Sequence, residues 1–111
     1  MTEQQIEKVV DFYNKHLAQI DKKIVKEEIL KHLDYATIDY AVDEQEEIIG
    51  LCCWNIIDDG KTARIRYIAI DEKWRRSGLG KHFLTRGLKI WKNITHIEFD
   101  REFKRNTKLR K

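Results

Sequence analysis

The residues with the clearest chemical potential run Arg75-Arg76-Ser77-Gly78-Leu79-Gly80-Lys81. Basic side chains and two glycines sit here between a strand-like segment ending at Ile70 and a helix-like segment beginning near Leu79. The first turn of a helix carries backbone N–H groups without partners, and the helix dipole makes that end attractive to anions. Glycine lets a phosphate approach the backbone closely, and Arg75, Arg76 and Lys81 add charge. Two familiar phosphate loops do not fit. A P-loop needs glycine five residues before Gly80 and Ser or Thr after Lys81, where this chain has Arg75 and His82. A dinucleotide fingerprint needs a third glycine where Phe83 stands.

Other reactive residue types read as structural. Cys52 and Cys53 are neighbours, and neighbours on a strand point to opposite faces, so they suit a buried strand better than a disulfide. No Cys/His spacing resembles a zinc site, and no metal is expected. Trp54, Trp74 and Trp91 are expected to be packing groups.

The elements that must position the loop follow from periodicity. Thr2 with Gln5 forms a capping-box pattern. Ile6, Val9, Val10, Tyr13, Leu17 and Ile20 then recur at helical spacing. Asp21 is placed to cap a second helix with Val25, Ile29, Leu30 and Leu33 as its apolar stripe. Residues 36–42 read as a strand and 43–46 as a charged turn. Residues 48–57 form a long strand, apolar except at Gly50 and Asn55, as a strand covered on both faces is. Asp59-Gly60 suggests a two-residue hairpin turn, and residues 63–70 the return strand. Ser77 is placed to cap a helix marked by Leu79, Phe83, Leu84, Leu88 and Trp91, and residues 94–99 form a last strand. The β-α-β crossover makes the final two strands parallel. The predicted fold is α/β (α+β), ordered α-α-β-β-β-α-β, with a mixed sheet, helices on both faces and a short basic C-terminal tail.

With 111 residues, 41% of them apolar, the chain suits one domain, residues 1–111, with a single core. No apolar run approaches the ~20 residues that span a bilayer. Met1 to Gln5 lacks the basic and apolar regions of a secretion signal, so a cytoplasmic protein without a membrane partner is expected. Net charge is only +3 but uneven: residues 1–60 hold 14 acids and 6 bases, residues 73–111 hold 13 bases and 3 acids. That asymmetry suits a polyanionic ligand, or a solvated basic face.

The motif Arg75-Arg76-Ser77-Gly78-Leu79-Gly80 resembles the signature of the GNAT acetyltransferases, Arg/Gln-x-x-Gly-x-Gly/Ala. The spacing back to Ile70, the aromatic Trp74 before the arginine and the element order from residue 21 to 99 resemble that family as well. The resemblance implies acetyl-CoA, or coenzyme A, as the cofactor. It implies that Arg75, Arg76, Ser77, Gly78, Leu79, Gly80 and Lys81 hold the pyrophosphate, mainly through backbone N–H groups of 76–81. The strand before the loop carries a bulge in that family, and it pairs with the pantetheine arm. This places Ile68, Ala69 and Ile70 on the cofactor, with the Ile68 N–H as an oxyanion donor. The last strand, 94–99, splays away to open the slot.

Acetyl transfer to an amine also calls for a base, since a free lysine has a pKa of ~10.4. Here the sequence departs from the family. Some members carry a glutamate where this chain has Arg64, and many have a tyrosine acid beyond the last strand, whereas no tyrosine follows Tyr67. Glu98, beside the slot, is the candidate base, set against the plainer reading of a carboxylate paired to a nearby base. His96 shares its face. Tyr67 is either packed core or a catalytic hydroxyl. The leading function is an N-acetyltransferase acting on a primary amine of a small molecule or protein. The alternative is a weak or inactive acyl-CoA-binding regulatory module. Nucleic-acid binding by the tail is the least favoured reading. A homodimer is one expected assembly, because truncated members can complete their sheet with a second copy.

Overall fold

Thr2 opens the first helix as its sequence context demands. Its Oγ1 accepts the Gln5 N–H at 3.2 Å while Gln5 Oε1 accepts the Thr2 N–H at 2.9 Å, closing the capping box at the head of α1 (Glu3–His16). The computed structural model describes residues 1–100, except for the side chains at 87, 88 and 90; the basic tail lies outside the described residues. Helix α1 ends earlier than the apolar spacing predicts, before Leu17 and Ile20. Asn14 Oδ1 accepts the Ile20 N–H at 3.1 Å, and that bond folds the chain back on itself.

Helix α2 (Lys22–Asp34) is capped by Asp21, which accepts the Lys23 N–H at 2.8 Å. Its inward stripe is Val25, Ile29 and His32, not the expected run with Leu30. Leu30 lies one position, about 100° of helix, beyond Ile29, and is 40% exposed, whereas His32 is 5% exposed. Ala36 then takes a left-handed conformation, φ 55°. The Thr37 N–H reaches back to His32 O at 2.8 Å, a helix-closing arrangement that uses up the first residues expected in the strand.

Strands β1 (Ile38–Val42), β2 (Ile48–Ile57) and β3 (Thr62–Ile70) form an antiparallel meander, and β4 (His96–Phe99) lies parallel to β3. The hairpin between β2 and β3 is wider than a two-residue turn. Ile57 pairs with Thr62, and Asp58, Asp59 and Gly60 all have positive φ. Aspartate and glycine tolerate that region, so the register, not the Asp-Gly pair alone, sets the loop. Between β3 and β4 run a single 3-10 turn (Glu72–Trp74) and helix α3 (Leu79–Ile90).

The sheet separates two apolar clusters. Leu51, Cys53 and Ala69 pack under α1 and α2, whereas Cys52, Trp54 and Ile65 pack under α3 with Phe83. Cys52 and Cys53 are both free and buried, one in each cluster, as strand alternation requires. Tyr67 is packed core: its ring meets Tyr13 edge-on, centroids 5.0 Å apart. Trp54 is buried and Trp91 packs with the α3 cluster, but Trp74 is 41% exposed on the loop, correcting the expectation that all three pack.

Candidate active site

The basic loop is built around two residues in the left-handed region, Arg76 at φ 68° and Gly78 at φ 86°. A non-glycine residue there costs about 1 kcal/mol. Asp71 Oδ1 accepts the Lys73 N–H at 3.0 Å and fixes the 3-10 turn. The Ser77 hydroxyl donates to Trp74 O at 2.5 Å. Ser77 is therefore not the helix cap that its position suggests. The first helical bond runs from the His82 N–H to Gly78 O at 3.0 Å, which makes Gly78 the cap. A glycine cap offers no side-chain acceptor, so the amides of Gly78, Leu79, Gly80 and Lys81, with that of Arg76, have no acceptor among the described residues. Arg75, Arg76, Ser77, Gly78 and Lys81 are exposed; Leu79 and Gly80 are half-buried.

Gly50 on β2 sets the position of this helix start. A Cβ there would lie 2.8 Å from Leu79 Cδ2 and 2.9 Å from Phe83 Cζ. Its absence lets the first turns of α3 settle onto the sheet, close to the end of β3.

Strand β3 offers its outer edge beside the loop. Cys53 pairs with Tyr67 and Trp54 with Ile65, so Arg66 is the extra residue of a bulge. Past the bulge, the Asp71 N–H donates to Ile49 O at 2.8 Å. Main-chain groups alternate sides along a strand, so Ala69 and Tyr67 also face β2, while Ile68 and Ile70 turn theirs outward. Strand β4 pairs with β3 only up to Ile65–Phe99, followed by the Asp100 N–H to Ile65 O at 2.9 Å. Among the described residues no strand covers the outer edge at Ile68 and Ile70. Arg75 Nε donates to Ile70 O at 3.3 Å, tying the loop to this edge.

On the α1–α2 side the sheet turns polar below the bulge. Arg64 Nε donates to Glu98 Oε1 at 2.6 Å, and Arg66 Nη1 to Asp100 Oδ2 at 3.3 Å. These two pairs join β3 to β4. The structure thus brings Glu98 to Arg64, its register partner. Ile68 lies four residues further on, about 13 Å along a strand, so Glu98 and the Ile68 N–H are not brought together. His96 Nδ1 lies 2.8 Å from Thr95 Oγ1, opposite Thr62.

Beside the ion pairs is a cleft of about 450 Å³ lined by residues that include Glu28, His32, Thr37, Asn55 and Arg66. His32 Nδ1 and Thr37 Oγ1 are 2.7 Å apart, and His32 Nε2 lies 3.9 Å from Glu28 Oε2. Burial lowers the His32 pKa below its ordinary 6.5, against the upward pull of Glu28. Sequence reading passed over this group. Its one signal was a histidine three residues after Ile29, on the inward face of α2. Among the described residues no group of three or more His, Cys, Asp and Glu is placed to hold a metal, and no helix is long and apolar enough to cross a membrane.

The sequence matches the acetyltransferase (GNAT) family over residues 5–107. The chain belongs to the GNAT acetyltransferase family. Solved structures agree on the fold. The aminoglycoside 6'-N-acetyltransferase of Acinetobacter haemolyticus superposes with a TM-score of 0.70 at 14% identity, over 90% of this chain and 75% of its own. An aminoglycoside N-acetyltransferase in complex with CoA gives 0.71 at 12% identity, over 98% and 80%. A GNAT-family acetyltransferase of Staphylococcus aureus Mu50 gives 0.65 at 18% identity, over 83% and 63%. No curated protein matches the sequence.

The family is one of acetyltransferases and uses acetyl-CoA. This chain's own features fit that molecule. A diphosphate needs unsatisfied donors and positive charge, present at Arg76 and at the head of α3; an amide-bearing arm needs a strand edge, present at Ile68 and Ile70.

Proposed function

We propose that this protein transfers the acetyl group of acetyl-CoA to a primary amine by direct attack on the thioester. The observation that carries the reading is the adjacency of the unpartnered amides at the head of α3 and the outward-facing main chain of Ile68 and Ile70. When bound, acetyl-CoA supplies an acetyl group activated on sulfur. The amides of Arg76, Gly78, Leu79, Gly80 and Lys81 would hold the diphosphate, with Arg75, Arg76 and Lys81 neutralising its charge; the Ser77 N–H is taken by Trp74 O. Ile68 and Ile70 would hold the pantetheine arm along the outer edge of β3, with the Ile68 N–H as oxyanion donor, while the main chain of Ala69, between them, faces β2. The proton acceptor chosen from sequence, Glu98, is engaged by Arg64; the acetyltransferase reading does not depend on it.

The test is thiol release from acetyl-CoA with a panel of primary amines: a lysine-containing peptide, a diamine and an aminoglycoside. Release above the amine-free rate supports the proposal. CoA binding by calorimetry without turnover on any amine favours the second reading, a regulatory acyl-CoA-binding module. What favours that reading is Arg64, a cation locked to Glu98 where a base is expected. The proposal places the protein in the cytoplasm. It also includes pairing of two copies, since β1 pairs only with β2 among the described residues, and light scattering tests it.

A further inference from the structure

The cleft beside the bulge brings His32 Nε2 and Glu28 Oε2 to 3.9 Å from each other. Thr37 Oγ1 lies 3.4 Å from His32 O and 2.7 Å from His32 Nδ1; when the hydroxyl gives its proton to His32 O, the ring donates to it from Nδ1. In that neutral tautomer Nε2 carries a lone pair. Across a gap of 3.9 Å stands Glu28 Oε2. A nitrogen placed about 2.9 Å from each fits that gap, and a cationic nitrogen with several N–H groups satisfies both.

Resting on the acetyltransferase reading, we infer that this cleft receives the acceptor amine, with the ammonium held between Glu28 and His32 and its proton taken by His32 Nε2.

Position supports the assignment. The cleft is lined by Arg66, the bulge residue, two positions before Ile68. The His32 ring packs edge-on to Tyr67, centroids 6.5 Å apart, and Tyr67 directly precedes Ile68. Glu98 lies on the far side of Arg64 in the same sheet face. The electrostatics suit a base that is neutral when the substrate arrives. Burial pushes the His32 pKa down, Arg66 adds to this, and Glu28 with the Trp54 and Thr37 main chain oppose it. Lys31 also lines the cleft, and Asp100 faces it through Arg66.

The step balances as follows. The ammonium gives one proton to His32 Nε2. The freed lone pair forms the C–N bond to the acetyl carbon while the C–S bond breaks, its electrons staying on sulfur. The second proton lost from nitrogen goes to sulfur, giving the thiol, and His32 releases its proton to water. An ammonium and a thioester become an amide, a thiol and one proton.

The experiment compares wild type, His32→Gln, Glu28→Gln and Glu98→Gln as full chains, with acetyl-CoA and the same three amines, recording kcat and KM for the acceptor against pH. Wild-type rate should rise through a midpoint below 6.5, the ordinary histidine value. His32→Gln should lose that limb and about 100-fold or more in kcat. Glu28→Gln should raise acceptor KM about tenfold, the worth of one charge-assisted hydrogen bond. The KM for acetyl-CoA should not change in either. Glu28 is half-exposed, so its variant carries the test if the buried His32 variant does not fold. Turnover with the limb intact in His32→Gln, or with acceptor KM unchanged in Glu28→Gln, overturns this inference alone. Loss of turnover only in Glu98→Gln moves the base to Glu98. Wild type that binds CoA but turns over no amine overturns the catalytic reading and this inference with it.

Discussion

Arg64 on β3 and Glu98 on β4 stand directly opposite one another, the guanidinium Nε donating to the carboxylate Oε1 at 2.6 Å. Both side chains are over two-fifths exposed, 43% and 44%, so water weakens the pair. Glu98→Gln is expected to cost about 0.2–1 kcal/mol in denaturant unfolding. CoA affinity, read by calorimetry, should not change. A change in CoA affinity would mean that this end of β4 shapes the slot directly.

Gly50→Val tests how far α3 depends on the sheet beneath it. The new side chain begins 2.8 Å from Leu79 Cδ2 and 2.9 Å from Phe83 Cζ, and Phe83 is fully buried. Overpacking of this kind costs about 1–3 kcal/mol. Weaker CoA binding should accompany the loss, because the amides at the head of α3 move with Leu79. Wild-type affinity in a folded Gly50→Val protein would show that the loop holds its shape without that seat.

Charge reversal at Arg76 and Lys81 together should weaken CoA binding about tenfold or more, equivalent to about 1.4 kcal/mol, and flatten its dependence on salt. Both side chains are exposed, so unfolding should hardly change. Unchanged CoA affinity would remove the diphosphate from this loop.

The pH dependence of stability has two opposed contributions. The folded pKa of His32 is lowered, chiefly by burial, so between that value and 6.5 the unfolded chain binds more protons. Stability from this group is full above 6.5 and falls on acidification. Asp39 is raised, again chiefly by burial, with Arg86 pulling the other way. Between the ordinary value of 3.8 and the raised one, the folded state binds more protons, so its contribution falls as pH rises. Denaturant unfolding from pH 4 to 8 should show the His32 slope vanish in His32→Gln and the Asp39 slope vanish in Asp39→Asn. A slope that survives its own substitution assigns it to another group.

Much of this was legible in the residue pattern, for identifiable reasons. Cys52 and Cys53 announced a strand buried on both sides because alternation leaves adjacent residues no common face. Thr2, Gln5 and Asp21 announced helix starts because a side-chain acceptor answers an unpaired amide. What failed was competition between local signals and context. Asp59-Gly60 reads as a tight turn, yet the pairing of Ile57 with Thr62 leaves a wider loop. Ser77 reads as a cap, yet its hydroxyl is taken by Trp74 O and Gly78 caps instead. In the site, the glycines and bases of the loop could be seen, because their types are what the chemistry needs. The cleft could not: His32, Thr37 and Arg66 come from three separate elements, and nothing in their local sequence says that they meet.

The extra residue at Arg66 works as a change of parity. Ahead of it, odd-numbered positions such as Ala63 and Ile65 bond outward to β4; behind it, the even-numbered Ile68 and Ile70 face out. A regular strand through the same residues, with Arg66 paired in turn, would exchange the roles of every backbone group from Tyr67 to Ile70, a frameshift written in space instead of in code.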